Sequence, residues 1–328
     1  MSNREIRLSI IGLGPIGASF GLALASRRET LPLLRIGHDP EPLQAQAAKK
    51  AGAVDKITLT LSGAVNQADI VLLSLPLHEI RKTLEHIAPD LKPDAVVLDT
   101  SPAKARVAAW AKDLLPAHVH YVGLLPVINP MYLLASSAEE PRADLFHHTV
   151  MGIVAPVETP GPALKLAADL TALVGATPLF LDIAEADGLL AAVEVLPQLL
   201  AAALVHTTTG EPGWRESRKL AGRAYAAATE AADHPTTELS ETLLAHRHTL
   251  PHLLTRLTAQ MDALAQWLNA GDAEAIRAWW DQAARARRRW LGNRQRNAWE
   301  TAPPTEAPSI GDTFRALLGL RRPEKPSS

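Results

Sequence analysis

The chain has 328 residues, is 47% hydrophobic and 21% charged, and carries a formal net charge of -2. That composition describes an ordinary globular protein of about two domains, with no global attraction to nucleic acid or to an anionic membrane surface. It contains no cysteine, which excludes disulfides, thiolate catalysis and thiolate metal centres, and no metal is expected.

Residues 6–25, IRLSIIGLGPIGASFGLALA, read as a strand, a glycine turn and an apolar helix. In Gly12-Leu13-Gly14-Pro15-Ile16-Gly17 the first glycine permits a tight turn, the second lets backbone approach a pyrophosphate, and the third lets helix and strand pack closely. The free amides of the new helix then face a diphosphate. A second strand at 33–38 leads to Asp39, 22 positions after Gly17, where a carboxylate can hold ribose hydroxyls. The pattern predicts a nicotinamide dinucleotide site. A carboxylate ~4 Å from a 2′-phosphate repels it by ~1–4 kcal/mol, so NAD is favoured over NADP, and Arg35 is poorly placed to relieve that repulsion. The opening MSNREIR lacks the layout of a signal peptide, so the cytoplasm is the expected location.

Further strands are expected at 69–75, 95–99 and 119–124, with helices at 41–51 and 78–87 among them. These strands are continuous apolar runs, as in a parallel sheet covered on both faces. Two more strands, at 149–155 and 178–182, flank a helix opening after ETPGP. The first domain is expected to close at residue 183. Beyond it only helices are expected, at 184–206, 218–232, 237–269 and 273–299, forming a second domain over 184–300. The fold class is therefore α/β, a Rossmann-type doubly wound and mostly parallel sheet followed by an all-α domain. The apolar run 189–205 is interrupted by Glu194, Pro197 and Gln198 and reads as a buried helix rather than a membrane span. Arg285, Arg287, Arg288, Arg289, Arg294 and Arg296 read as a solvated helix face rather than a nucleic-acid surface. Five of the seven tryptophans fall at or after Trp267 and are read as core and interface packing. Residues 301–328 read as a linker and a disordered tail with a short amphipathic piece at 313–320.

Taken in order, GLGPIGASFGLAL, GHDPEPLQAQAAKKAGAVD, ADIVLLSLPLHEI, VVLDTSPAK, YVGLLPVINP and ADLF resemble the prephenate and arogenate dehydrogenases of tyrosine biosynthesis. EADGLLAAVEVLPQLLAAAL resembles the first helix of that family's dimerisation domain. The resemblance spans residues 6–297. It implies NAD(P)-dependent oxidative decarboxylation of a small carboxylic acid, a homodimer, and cofactor contacts from Leu75 and Pro76 as well as the glycine turn and Asp39.

The chain departs from the family where the chemistry is done. By resemblance, Leu125 stands in place of the histidine of a Gly-Gly-His-Pro-Met turn, and Pro102 in place of the serine of an Asp-x-x-Ser-x-x-Lys segment. Gln198 replaces the histidine of Leu-Pro-His, and Glu230 falls where a substrate-binding arginine belongs. Leucine accepts no proton, proline donates no side-chain hydrogen bond, and losing a general base typically costs ~10²–10⁴ in rate. Candidate replacements are Ser101, Thr100, His78 and Asn129 for catalysis, and Arg215, Arg218 and Arg223 for binding an anion. Each reads equally as an ordinary turn, helix-end or surface residue. Three readings follow: a dehydrogenase of this family with a rearranged site, a non-catalytic cofactor-binding relative with a sensing or scaffolding role, and a different dehydrogenase sharing the nucleotide domain. The third is disfavoured because the helix at 184–206 lacks the lysine that hydroxy-acid enzymes place there.

Overall fold

The computed structural model describes residues 5–26, 32–133, 140–233 and 236–299. Short β-branched apolar runs become strands, and small-residue apolar runs become the helices that cover them. In chain order these are β1 (Ile6–Ile11), α1 (Pro15–Ala25), β2 (Leu33–His38), α2 (Pro42–Lys50), β3 (Lys56–Ile57), α3 (Leu61–Val65) and β4 (Ile70–Leu73). There follow α4 (Leu77–Ile87), β5 (Val96–Asp99), α5 (Lys104–Leu114), β6 (His120–Pro126), β7 (Thr149–Val154), α6 (Gly161–Leu173) and β8 (Ala176–Leu181). They form one eight-stranded sheet in the order β3-β2-β1-β4-β5-β6-β7-β8. The β6–β7 pair is antiparallel and the other pairs are parallel. The core lies on the sheet faces, where Leu8, Ile10, Ile70, Leu72, Val96, Leu98, Val122 and Leu124 are buried with Phe20 and Phe146.

The mostly parallel α/β sheet is as expected, with small differences. Strand β3 has only two residues, Lys and Ile, too short to leave a periodic signal. Arg35 is buried in the core, where its guanidinium bonds Asp55 and the carbonyls of Gly21 and Gly52.

Two compact units emerge, Met1–Ile183 together with Arg287–Ser328, and Ala184–Ala286. The second unit opens on one continuous helix, Ile183–Thr209, made of α7 (Ile183–Leu190), a π-helical turn (Ala191–Val195) and α8 (Leu196–Thr209). Pro197 explains that turn: it lacks an N–H for the carbonyl four residues back, and its ring crowds that carbonyl, so the ladder widens. By length and composition this helix is apolar enough to cross a membrane. The expectation that it is buried fails within one chain, because Leu189, Val193 and Leu200 are exposed. The region after it is more broken than expected. Helices α9 (Trp214–Leu220) and α10 (Arg223–Thr229) are separated at the extended Gly222. Likewise α11 (Thr236–Ala245) and α12 (Leu250–Ala270) divide what was expected to be one helix. Pro251 sits in the first turn of α12, the helix position that tolerates a missing N–H. Helix α13 (Ala273–Arg296) ends the described chain as a long, arginine-rich helix. The expected linker, amphipathic piece and tail lie outside the described residues.

Glu194 falls in the π-helical turn, where desolvation raises its carboxyl above the usual range although the residue as a whole is exposed in one chain. A carboxyl whose folded pKa is raised opposes folding only where the solvent would ionise it. Glu194→Gln should therefore be at least as stable as the parent at neutral pH, with the difference shrinking as pH falls into the carboxylate range. Urea melts across that range check this, and a gap independent of pH would contradict it.

Candidate active site

Strand β1 leads outward to β2 and β3, whereas β4 returns to the other side of β1. In such a sheet the crevice outside the carboxyl ends of the two central strands is the natural ligand site. Here that crevice opens between the glycine turn after β1 and Ser74-Leu75-Pro76 after β4. Gly12 has φ +88°, and a Cβ there would lie 2.1 Å from the Ser74 carbonyl oxygen and 3.0 Å from a Leu75 methyl. A Cβ on Gly17 would lie 2.0 Å from the Gly12 carbonyl oxygen. Over Gly14 the nearest atom to such a Cβ is the Gln44 side-chain nitrogen at 3.7 Å, so that backbone face is open. Pro15 and Ile16 form the first turn of α1, with Gly14 as its cap, and Pro76 caps α4.

Asp39 is tied to this turn. One carboxylate oxygen accepts from the Leu13 amide at 2.7 Å and the other from the Glu41 amide at 2.9 Å. Gln44 donates to the Leu13 carbonyl at 3.0 Å. A carboxylate offers about four acceptor sites, so both oxygens keep capacity for hydroxyl donors. An open glycine face, a helix N-terminus and an anchored acid together fit a dinucleotide.

The segment after β5 is held by a fully buried ion pair. Lys104 Nζ lies 3.0 Å from Asp99 Oδ1 and donates to the Asp99 carbonyl, and both side chains are closed to solvent. Tyr121 donates to the other Asp99 oxygen at 2.6 Å, and the Ser101 amide and hydroxyl both donate to Oδ1. The lysine stem crosses β6 at Gly123, where a Cβ would meet it at 2.7 Å. Nothing in the residue types alone announced this network.

The first unit contains Ser101, Thr100, His78 and Asn129 together with the glycine turn. Ser101 is buried and spent on Asp99, which makes it a turn-holding residue. Thr100 is part-exposed, its hydroxyl 3.4 Å from both the Leu73 carbonyl and the Ser74 hydroxyl. His78 begins α4; its Nε2 lies 3.8 Å from Glu79, and its buried Nδ1 has no partner among the described residues. Asn129 is a turn former that accepts from the Met131 amide and donates to the Asp144 carbonyl. Leu125 leans on Gly152 of the neighbouring strand, and Pro102 lies in the turn between β5 and α5. Arg215, Arg218 and Arg223 are exposed residues of the second unit. Glu230 is also exposed there, and Gln198 lies in the first turn of α8.

One arginine departs from the expected solvated face. Arg294, in the last turn of α13, is 3% exposed. Its Nη2 donates to the Ile128 carbonyl, its Nη1 has no partner among the described residues, and desolvation lowers its pKa.

Residues 22–179 match the family described as prephenate dehydrogenase, nucleotide-binding domain. That segment is similar to the nucleotide-binding domain of prephenate dehydrogenases. It is 27% identical over 208 residues to the cyclohexadienyl dehydrogenase of Zymomonas mobilis, covering 62% of this chain and 67% of that one. It is 24% identical over 280 residues to the prephenate dehydrogenase of Bacillus subtilis, covering 84% and 74%. The fold resembles that of Aquifex aeolicus prephenate dehydrogenase solved with hydroxyphenyl propionate and NAD+, with a TM-score of 0.74 at 20% identity, over 88% of this chain and 99% of the other. The matched segment contains Asp39, Leu75, Pro76, His78 and Thr100, and the glycine turn lies just ahead of it.

Removing one partner of a buried ion pair strands the other charge, at a cost of ~3–5 kcal/mol. Lys104→Met should lower the unfolding free energy by about that amount in urea melts. A loss below ~1 kcal/mol would show that the Asp99 cluster does not hold the turn.

Proposed function

We propose that this protein is an NAD-dependent dehydrogenase acting on a small carboxylic acid of the prephenate or arogenate type, through a rearranged catalytic edge. The observation that carries the cofactor half is Asp39, locked by the Leu13 and Glu41 amides at the mouth of the glycine turn. When bound, NAD supplies an acceptor for the hydride removed from the ring carbon bearing the hydroxyl. The chain's own residues hold the diphosphate on the open backbone at Gly14, grip the ribose through Asp39, and fill the wall of the crevice with Leu75 and Pro76. The candidate acceptor of the hydroxyl proton at this edge is the part-exposed His78 imidazole, through Nε2, which lies 3.8 Å from Glu79. Thr100 lies at the end of the next strand and can orient the hydroxyl. Arg215, Arg218 and Arg223, exposed on the helical unit, remain candidates for binding an anion.

Leu125 packed on Gly152, in place of a histidine, favours a second reading: a cofactor-binding relative that performs no hydride transfer. The two part on turnover. The exposed Leu189, Val193 and Leu200 of the helical unit support a homodimer that covers them. A face covered by a second copy fits a cytoplasmic protein, and we assign neither a membrane nor a nucleic acid as partner.

Mixing purified protein with NAD and either prephenate or arogenate should generate reduced cofactor. NAD binding without reduction of NAD by either acid would select the second reading. In the same assay His78→Asn should lower kcat by ~10²-fold or more with little change in NAD affinity; an unchanged kcat would remove His78 as the base. Asp39→Ser should weaken NAD binding by roughly tenfold, the worth of hydrogen bonds to a charged group, and narrow the preference over NADP. Equal NAD affinity in parent and variant, measured by calorimetry, would remove Asp39 from the site.

A further inference from the structure

Among the described residues the other buried Lys and Arg side chains are neutralised. Lys104 meets Asp99 at 3.0 Å and Arg35 meets Asp55 at 2.9 Å. Arg294 is the exception among the described residues: it is 3% exposed, bonded through Nη2 to a neutral backbone carbonyl, unpartnered at Nη1, and in no ion pair. A guanidinium is charged at any working pH, and enclosing it without a counter-ion is among the costlier things a fold can do. Binding roles are where such a cost is ordinarily retained.

Its surroundings belong to the candidate active-site edge. The carbonyl that Arg294 holds is that of Ile128, two residues past Pro126 at the end of β6, in the turn that follows Leu125. The next residue, Asn129, donates its amide to the Leu145 carbonyl. Closer to the glycine turn, the Arg142 amide donates to the Ser19 hydroxyl on α1 at 2.9 Å. The segment in reach of Arg294 is therefore stitched to the helix that opens the nucleotide site, all within the first unit. With Nη2 fixed on Ile128, the guanidinium keeps an N–H edge whose planar geometry suits one carboxylate.

We propose that Arg294 is a carboxylate-binding residue of this chain, which anchors the acid group of the substrate through its free Nη1 edge. Naming the acid as the substrate rests on the dehydrogenase reading above; the anion site itself does not. The assignment also accounts for Glu230, since an arginine at another place in the fold supplies the cation. Nη1 is closed to solvent in the ligand-free chain, so uptake of the acid displaces part of the turn at 128–133.

The test uses the full chain with saturating NAD and hydroxyphenyl propionate as probe, read by calorimetry and thermal melting. The parent should bind the probe, and Arg294→Met should weaken it at least thirtyfold while changing NAD affinity less than twofold. Without the probe, Arg294→Met should melt no lower than the parent, because an unpaired charge has been replaced by an apolar chain of similar length. Arg294→Lys, which keeps the charge and loses the fork, should retain part of the affinity, and it carries the test if the methionine variant does not fold. Probe affinity equal in parent and variants would overturn the proposal, as would a parent that takes up NAD but no hydroxyphenyl propionate or malonate. Loss of melting temperature together with NAD affinity would instead make Arg294 a structural tie to Ile128, which also overturns it. Carboxylate binding that depends on Arg294, without turnover of prephenate or arogenate, would sink the dehydrogenase reading alone.

Discussion

Backbone meets backbone at the exit of β1, and the nucleotide-binding unit is organised around that approach. The Ser74 carbonyl comes so near Gly12 that no side chain fits between them, and the Gly12 carbonyl comes equally near Gly17. Two strands and a helix are thereby drawn to one point, at the place where the sheet reverses its winding direction. The opening over Gly14 exists because its neighbours are held so tightly. Asp39 belongs to the same device: its carboxylate spends one acceptor position per oxygen on backbone amides, which holds it at the mouth of the turn.

The buried polar groups of the first unit divide into two kinds. Asp99, Lys104, Tyr121 and Ser101 satisfy one another, as do Arg35, Asp55 and two glycine carbonyls. These clusters hold the β5–α5 turn, and β2 to the segment before β3, in a single arrangement, and they need nothing from outside the chain. Arg294 is only half satisfied. In a fold that elsewhere balances its buried charges, that imbalance separates a group meant for packing from one meant for a ligand.

The helical unit shows the opposite economy. Its central helix keeps an apolar surface that one chain leaves uncovered, and Pro197 widens the helix into a π-turn around Glu194. Exposed leucine and valine in such a helix carry a solvation cost, whereas the sheet unit buries most of the apolar residues of its strands.

Much of this was legible in the residues. The glycine turn, Asp39, the strand series and the change to helices after residue 183 are local patterns, set by steric demands and side-chain periodicity over a few neighbouring positions. The helix breaks at Gly222 and before Pro251 were marked by residues that announce a break, yet their effect depended on packing. The ion pair at Asp99, the spent hydroxyl of Ser101 and the seclusion of Arg294 were not legible, because each depends on partners brought from distant stretches of chain. Arg294 looked like one more arginine on a solvated helix. Only tertiary structure decided that it ends beside Ile128, 166 positions earlier, since burial and the pairing of charges are properties of contact in space and leave no periodicity in the chain.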